Sequence, residues 1–418
     1  MQEVNFDSKE LIESEINNKK KFKKLRNWYS SLSQNQKYTL WFSSIIILII
    51  LIGIISFLVI ILRPNSAINA SNTSIKTTPL YTKVKLPPQK KYTDPLDGVQ
   101  LNSQTNLNRP ALAVMIENSI TARPQSGLNS ADLVYEAQVE GSITRFMAVF
   151  LANTPSMIGP IRSARLYYIS WAQGLGALYT HWGGNIYALE KLKTDNIPNI
   201  DAIFTPGSDQ TCSNSVSIVF CRLDTRYAPH NGYGNTQNIW NLGQQQGLFS
   251  NLTLGKNITP YQFSNTPKTK DLGKSGSSIN IFFDQGVIPY DVSWIYNQST
   301  NSYTRYNGGS KQYDALTNQP LTAKNVVVLY VNGHTTSYPG EGTTEAAAPI
   351  WILNTVGSGN AYIFENGQEI QATWNKSSDN SRMMFTTQSG SPVTFQRGEI
   401  WFEVIEPQTG SFTYTPAT

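Results

Sequence analysis

The chain has 418 residues, 40% of them hydrophobic and only 15% charged, with 29 Gly and 21 Pro. That length accommodates two domains of ordinary size plus appendages. Of the net charge of +5, residues 1–62 carry eight Lys/Arg against five Asp/Glu, or +3, which leaves +2 for everything after and excludes a basic face for nucleic acid.

Residues 1–37 read as a charged cytoplasmic tail. Residues 38–62, "YTLWFSSIIILIILIGIISFLVIIL", contain no charge and lie between Lys37 and Arg63. At about 1.5 Å per residue this run spans a bilayer core as a transmembrane helix. Its length argues for a retained anchor over a cleaved signal, although Ala67, Asn69 and Ala70 loosely resemble a cleavage site. The basic run "NNKKKFKKLR" (17–26) precedes it, so the N-terminus is expected in the cytoplasm and the bulk of the chain outside. Residues 63–95, rich in Asn, Ser, Thr, Pro and Lys, read as a flexible spacer.

Over 96–250, strands and helices alternate, which predicts an α/β first domain within an α+β protein. Strands are expected in "ALAVMIEN" (111–118), "ADLVYEAQVEG", "ITRFMAVFLAN" (143–153) and "ALYTHWGG". After Pro160, "SARLYYISWAQGL" places Leu166, Ile169 and Trp171 or Ala172 at helical spacing; "NIYALEKLKT" (185–194) and "TQNIWNLGQQQ" (236–246) are further helices. Residues 251–278 read as an inter-domain linker. Over 279–410, short runs such as "INIFF", "NVVVLYV" and "EIWFEVI" between Gly, Asn and Ser turns predict a smaller, mostly-β second domain. Its aromatics Trp294, Tyr296, Trp351, Trp374 and Trp401 read as core, with sugar binding the competing reading.

Cys212 and Cys221, on the outer side of the membrane, suit a local disulfide; the alternative is a thiol nucleophile with His230. Neither a CxxC pair nor HExxH occurs, and three histidines are too few and scattered for zinc, so no metal or cofactor is expected. No GxSxG, Walker or GxGxxG sequence supports a common hydrolase or nucleotide site.

Polar groups gather at the ends of the expected strands: Glu117, Arg123, Glu136, Glu140, Arg145, Arg162, Arg165, His181, His230 and Asn231. Arginine is a fixed fork of donors that stays charged, so several together hold phosphate or carboxylate. "GPIRSAR" (159–165) puts Arg162 and Arg165 where a helix is expected to begin, a place that favours anions. Two readings compete. The arginines pair with Glu136, Glu140 or Glu117 in a structural network, or they meet an anionic ligand with those carboxylates orienting them. His230 sits in a Gly- and Asn-rich loop whose Gly232 and Gly234 tolerate unusual backbone angles. His181 before Trp-Gly-Gly reads either as a ligand contact or as a satisfied histidine at a strand end.

These stretches resemble a known family. "RPALAVMIEN", "ARPQSGLNSADLVYEAQVEGSITRFMAVF", "IGPIRSAR" and "PHNGYGNT" are similar to the first domain of the YerB-like lipoproteins of bacteria (domain of unknown function 3048). "TAKNVVVLYV", "GSGNAYIFENGQEIQATWNK" and "GEIWFEVI" are similar to its second domain. The resemblance covers roughly residues 90–408 and implies an envelope-anchored, two-domain protein of unassigned activity. Many members carry a lipidated cysteine after a signal peptide. None lies near residue 62 here, so a transmembrane helix is expected in its place.

The combined expectation is a membrane-anchored envelope protein binding an anionic partner, such as a cell-wall glycan fragment or a lipid-linked phosphate. Arg162, Arg165 and Arg145 would hold the anion, Glu136 and Glu140 would orient them, and envelope proteins are possible further partners. The rival is an enzyme of wall-polymer metabolism, a hydrolase or phosphotransferase, using His181 or His230 with Glu136 or Glu140.

Overall fold

The computed structural model of the chain describes residues 91–212, 218–336 and 349–417, with residues 24, 29–33 and 36–37. The expected transmembrane run 38–62 lies outside the described residues, as do most of the tail and spacer. Among the described residues no helix is long and apolar enough to cross a membrane.

Chain order gives β1 (Leu112–Glu117), β2 (Leu133–Gln138), β3 (Thr144–Phe150), α1 (Leu166–Gly174), β4 (Leu178–His181), α2 (Ile186–Thr194), β5 (Asn199–Asp201) and α3 (Thr236–Gln245). There follow β6 (Ser278–Phe282), β7 (Val292–Asn297), β8 (Ser302–Asn307), β9 (Asn325–Tyr330), β10 (Gly357–Glu365), β11 (Gln368–Lys376), β12 (Met384–Thr387), β13 (Ile400–Ile405) and β14 (Ser411–Thr415). One mixed sheet of ten strands runs β12-β11-β10-β9-β13-β2-β3-β1-β4-β5. A second sheet orders Ser310–Lys311, β8, β7, β6 and β14, with Thr322–Ala323 also on β8.

The fold is α+β, and the two expected domains share the large sheet. Its join is the parallel pair β13–β2, where Ile400 sits opposite Leu133 and Glu403 opposite Glu136. Residues 251–278 are correspondingly packed, with Ile258 and Tyr261 buried and Tyr261 Oη donating to Met383 O at 2.9 Å. Gln262–Ser264 even pairs in parallel with Thr394–Gln396. The polar composition marked surface loops correctly but hid the two anchors between them.

Central strands are apolar without a break because both faces of the sheet are covered. On β1, Ala113 and Met115 face one core with α1 and α2; Leu112, Val114 and Ile116 face another with α3 and the second sheet. Trp294, Tyr296, Trp374 and Trp401 are buried, and Trp351 is partly so, which makes them core.

Helix α1 departs from the expected one-sided pattern. Tyr167, Tyr168, Ile169, Ser170, Trp171 and Ala172 are all buried. The helix lies on the sheet while its other side is covered by the loop after β11, where Ser170 Oγ donates to Asp379 at 2.7 Å. Helices α2 and α3 begin at Asn185 and Asn235, whose side chains accept from Ala188 N–H and Asn238 N–H, each at 3.0 Å.

The disulfide Cys212–Cys221 is present, so neither sulfur is a free thiol nucleophile.

Candidate anion-binding site around Glu117

Both arginines of "GPIRSAR" precede the helix. Residues 159–164 run as an extended segment past the end of β1: Glu117 N–H donates to Pro160 O (2.8 Å), Arg162 N–H to Met115 O (3.0 Å) and Ile161 N–H to Gly232 O (2.7 Å). Arg165 is the N-cap residue, in extended conformation at φ −136° and ψ 151°. The expected helix start after Pro160 is thus displaced to Leu166, because the segment's N–H groups are spent on β1 and Gly232.

The loop carrying His230 docks here. Gly232 is required for lack of space: a Cβ there would lie 2.6 Å from the Trp182 ring. Neither Gly232 nor Gly234 has positive φ, so close approach, and not an unusual backbone angle, selects them. Gly183 does take φ +68°, and its N–H donates to Asp201 Oδ1 at 2.9 Å.

Glu117 is the centre of the cluster and is buried. His230 Nδ1 lies 2.9 Å from its Oε1, Ser119 Oγ donates to the same oxygen at 2.8 Å, and Arg162 Nε lies 3.3 Å away. Ser119 Oγ is also 3.3 Å from His230 Nδ1. Serine and carboxylate therefore meet the same ring nitrogen, which rules out the relay of a serine triad, where they occupy opposite nitrogens.

Beside it, Arg165 forms a forked ion pair with Glu140, its Nε 2.8 Å from each carboxylate oxygen. Burial works to raise the Glu140 carboxyl, but the charge and hydrogen bonds of Arg165 hold it below its usual range. Glu140 also places a negative charge near the start of α1, where the helix dipole favours one. Arg145, opposite Glu117 on β3, donates to Ser163 O at 2.9 Å, and its buried Nε has no hydrogen-bond partner among the described residues. Burial, and then the charges of Arg165 and Arg162, push the Arg145 pKa down to about 10. Three guanidiniums thus gather around two carboxylates. Arg162 is one-quarter exposed, and its guanidinium donates no hydrogen bond to any described residue.

The other sequence candidates are occupied elsewhere. Glu136 does not orient Arg162 or Arg165; it is sealed between the two sheets and paired with Arg305. Strand alternation separates them, since Glu136 faces the second sheet. His181 is a satisfied strand-end histidine: Nδ1 is 2.8 Å from Gly183 O and Nε2 is 3.1 Å from Asn199 Oδ1. Neither His181 nor His230 meets Glu136 or Glu140, so the acid–base pairs expected for an enzyme do not form; among the described residues His230 meets Glu117 at 2.9 Å, and His181 Nδ1 lies 3.8 Å from Asp201 Oδ2. Asn231 is buried, accepting from Arg222 Nη1 at 2.9 Å and donating to Leu223 O at 3.2 Å. Arg123 donates to Asn118 O, Asn118 Oδ1 and Pro289 O. It borders a groove of about 810 Å³ whose walls include Ile120, Ile288, Pro289, Lys311 and Tyr313.

Sequence reasoning missed Ser119, Arg226 and Arg305. Arg226 donates to Thr121 O (2.9 Å) and Pro124 O (2.8 Å), fixing the 119–124 turn beside Glu117. For Arg305 a signal existed: on β8 it shares the inward face with Tyr303 and Asn307.

Comparison with known proteins agrees with this architecture. Residues 96–249 match the N-terminal domain, and residues 282–402 the C-terminal domain, of a family described as protein of unknown function (DUF3048). The chain belongs to this family. It is 27% identical over 318 residues to "Putative lipoprotein YerB" of Bacillus subtilis, covering 76% of this chain and 87% of that protein. The crystal structure of YerB from Bacillus subtilis superposes with a TM-score of 0.65 at 25% identity, covering 77% of this chain and all of that one.

Proposed function

We propose that the protein is a membrane-tethered, extracytoplasmic envelope protein that binds an anionic ligand through Arg162. The observation that carries this reading is the charge count of the cluster: among the described residues Arg145, Arg162 and Arg165 gather around two carboxylates, Glu117 and Glu140, and Arg162, its side chain one-quarter exposed, donates no side-chain hydrogen bond to any of them. An anion completes that count, and a phosphate or carboxylate suits the planar fork. Tethering is supported by the uncharged run 38–62 and by the name of the Bacillus relative. Cell-wall glycan fragments and lipid-linked phosphates are the ligand classes of matching charge, with other envelope proteins as possible partners.

The test is thermal denaturation of the chain with muropeptides, teichoic-acid fragments and polyprenyl pyrophosphate analogues. A saturable rise in Tm that disappears in a folded Arg162→Ala variant supports the reading. No response in the parent to any of them defeats it.

A catalytic role is the second reading, and the His230–Glu117 contact favours it. A carboxylate on Nδ1 orients the ring, which leaves Nε2 to move a proton. Turnover of a wall-polymer substrate that Glu117→Gln abolishes in the folded protein would convert binding into catalysis.

A further inference from the structure

The turn between the short paired strands Tyr92–Thr93 and Gln100–Leu101 carries two aspartates. Asp94 N–H donates to Val99 O and Gly98 N–H returns to Asp94 O, each at 2.9 Å. Leu96 N–H donates to Asp94 Oδ1 (2.8 Å) and Val99 N–H to Asp97 Oδ1 (2.9 Å). The third member is Asp132, just before β2. Its Oδ2 accepts from Leu151 N–H at 2.6 Å, and its Oδ1 from Asn153 Nδ2 at 3.4 Å. One oxygen from each of the three carboxylates lies within 4.8 Å of the others, and the residues are 1%, 6% and 1% exposed.

Buried like charges at this spacing require compensation. The charges of Arg382, Arg397 and Arg109 reach the cluster, but among the described residues none of the three donates a hydrogen bond to it, and Arg382 Nε has no partner. Arg382 donates to Pro95 O, Thr259 O and Leu96 O, and Arg397 to Gly98 O and Asn265 Oδ1. Independently, Asp94 Oδ2 is buried among these carboxylates and has no hydrogen-bond partner among the described residues. A fully enclosed carboxylate oxygen without a donor calls for a cation or a proton.

We propose that Asp94, Asp97 and Asp132 bind one hard divalent cation, Ca²⁺ in preference to Mg²⁺, which clips the 94–98 turn to the start of β2. An all-oxygen donor set selects hard cations. Three carboxylate oxygens within 4.8 Å of one another can share one ion, and the flexible shell of Ca²⁺, with ligands at about 2.3–2.6 Å, suits carboxylates fixed by backbone hydrogen bonds better than the strict octahedron that Mg²⁺ demands. Asp97 and Asn153 also line an open cleft of about 580 Å³, which provides an entry path and room for water to complete the shell.

The experiment uses the full-length chain stripped of metal with a chelator. Equilibrium dialysis against ⁴⁵Ca²⁺ is run beside thermal melts in Ca²⁺ and in Mg²⁺. The expected result is one Ca²⁺ per chain and a Tm increase on the order of 5 °C, matched by Mg²⁺ only at higher concentration. Asp97→Asn retains an oxygen for Val99 N–H and should fold, yet lose at least tenfold in Ca²⁺ affinity. Unchanged affinity in that variant overturns the proposal. So does a folded parent that binds no Ca²⁺ while Asp94→Asn melts higher, since the cluster then holds protons. If neither variant folds, the dialysis of the parent decides: one bound ion sustains the site and none refutes it.

Discussion

Arg305 on β8 donates to the carboxylate of Glu136 on β2, 169 residues away, and both side chains are completely sealed from solvent. The pair bolts the second sheet to the large one. Glu136 Oε1 also accepts from Thr144 (2.5 Å) and Asn118 (3.1 Å). Next to it Glu403 accepts from Trp294 Nε1 at 2.7 Å, and burial followed by the Glu136 charge pushes its carboxyl well above the ordinary range. Removing one partner of a buried ion pair strands the other. Arg305→Met is therefore expected to cost about 3–5 kcal/mol in urea unfolding at pH 7. A loss below about 1 kcal/mol would mean that Glu136 simply takes up a proton.

Glu365 gives the pH dependence a definite sign. Burial raises its carboxyl from 4.5 to about 7, although Gln396 N–H donates to Oε2 at 2.8 Å and Asn366 Nδ2 to Oε1 at 3.3 Å. A carboxyl with a raised folded-state pKa binds more protons when folded. Its destabilising effect is absent below about pH 4.5, grows as pH rises to about 7, and is constant above. Glu365→Gln keeps an acceptor for Gln396 N–H without the charge. Relative to the parent, the variant should gain roughly 3 kcal/mol between pH 4.5 and 8, read from urea midpoints at each pH.

Reduction of Cys212–Cys221 should act locally. The bridge closes a sequence separation of only nine, so the entropy it removes from the unfolded chain amounts to about 2–3 kcal/mol. Cys212→Ser/Cys221→Ser is expected to lower stability by that amount without touching the Glu117 cluster. Chemical shifts of His230 unchanged in the variant would show that separation.

Most strands and helices were legible because apolar runs such as "ALAVMIEN" and caps such as Asn185 act locally. What escaped was pairing at long range. Nothing near Leu133 in sequence announces that Ile400 lies beside it, so the sheet that the two domains share was not legible. The same limit governed the site. Glu117, Arg162 and His230 were among the strand-end polar residues, and the structure brings them together. Their partners could not be assigned by proximity along the chain: Glu136, two residues along the strand from Val134, faces the same core and meets Arg305 instead. The inward alternation Tyr303, Arg305, Asn307 was the available clue.

Arg162 and Arg165, three positions apart, should respond very differently to the same substitution. Arg165 is nearly buried and holds Glu140 in a fork, so Arg165→Ala leaves a mostly buried carboxylate without its partner. The Glu140 carboxyl is held low in the folded state, so its stabilising contribution is present above about pH 4.5 and disappears as pH falls through the lowered folded value. Arg165→Ala should accordingly cost about 2–4 kcal/mol at pH 7 and distinctly less at pH 3. Arg162 is one-quarter exposed, and Glu117 keeps His230 and Ser119 when it is gone. Arg162→Ala should cost under about 1 kcal/mol, yet remove the response to anionic ligands. Parallel urea titrations of the two variants at pH 7 and pH 3 decide the matter. If Arg162→Ala proves as destabilising as Arg165→Ala, its guanidinium belongs to the protein's own charge network, and the opening for an outside anion closes.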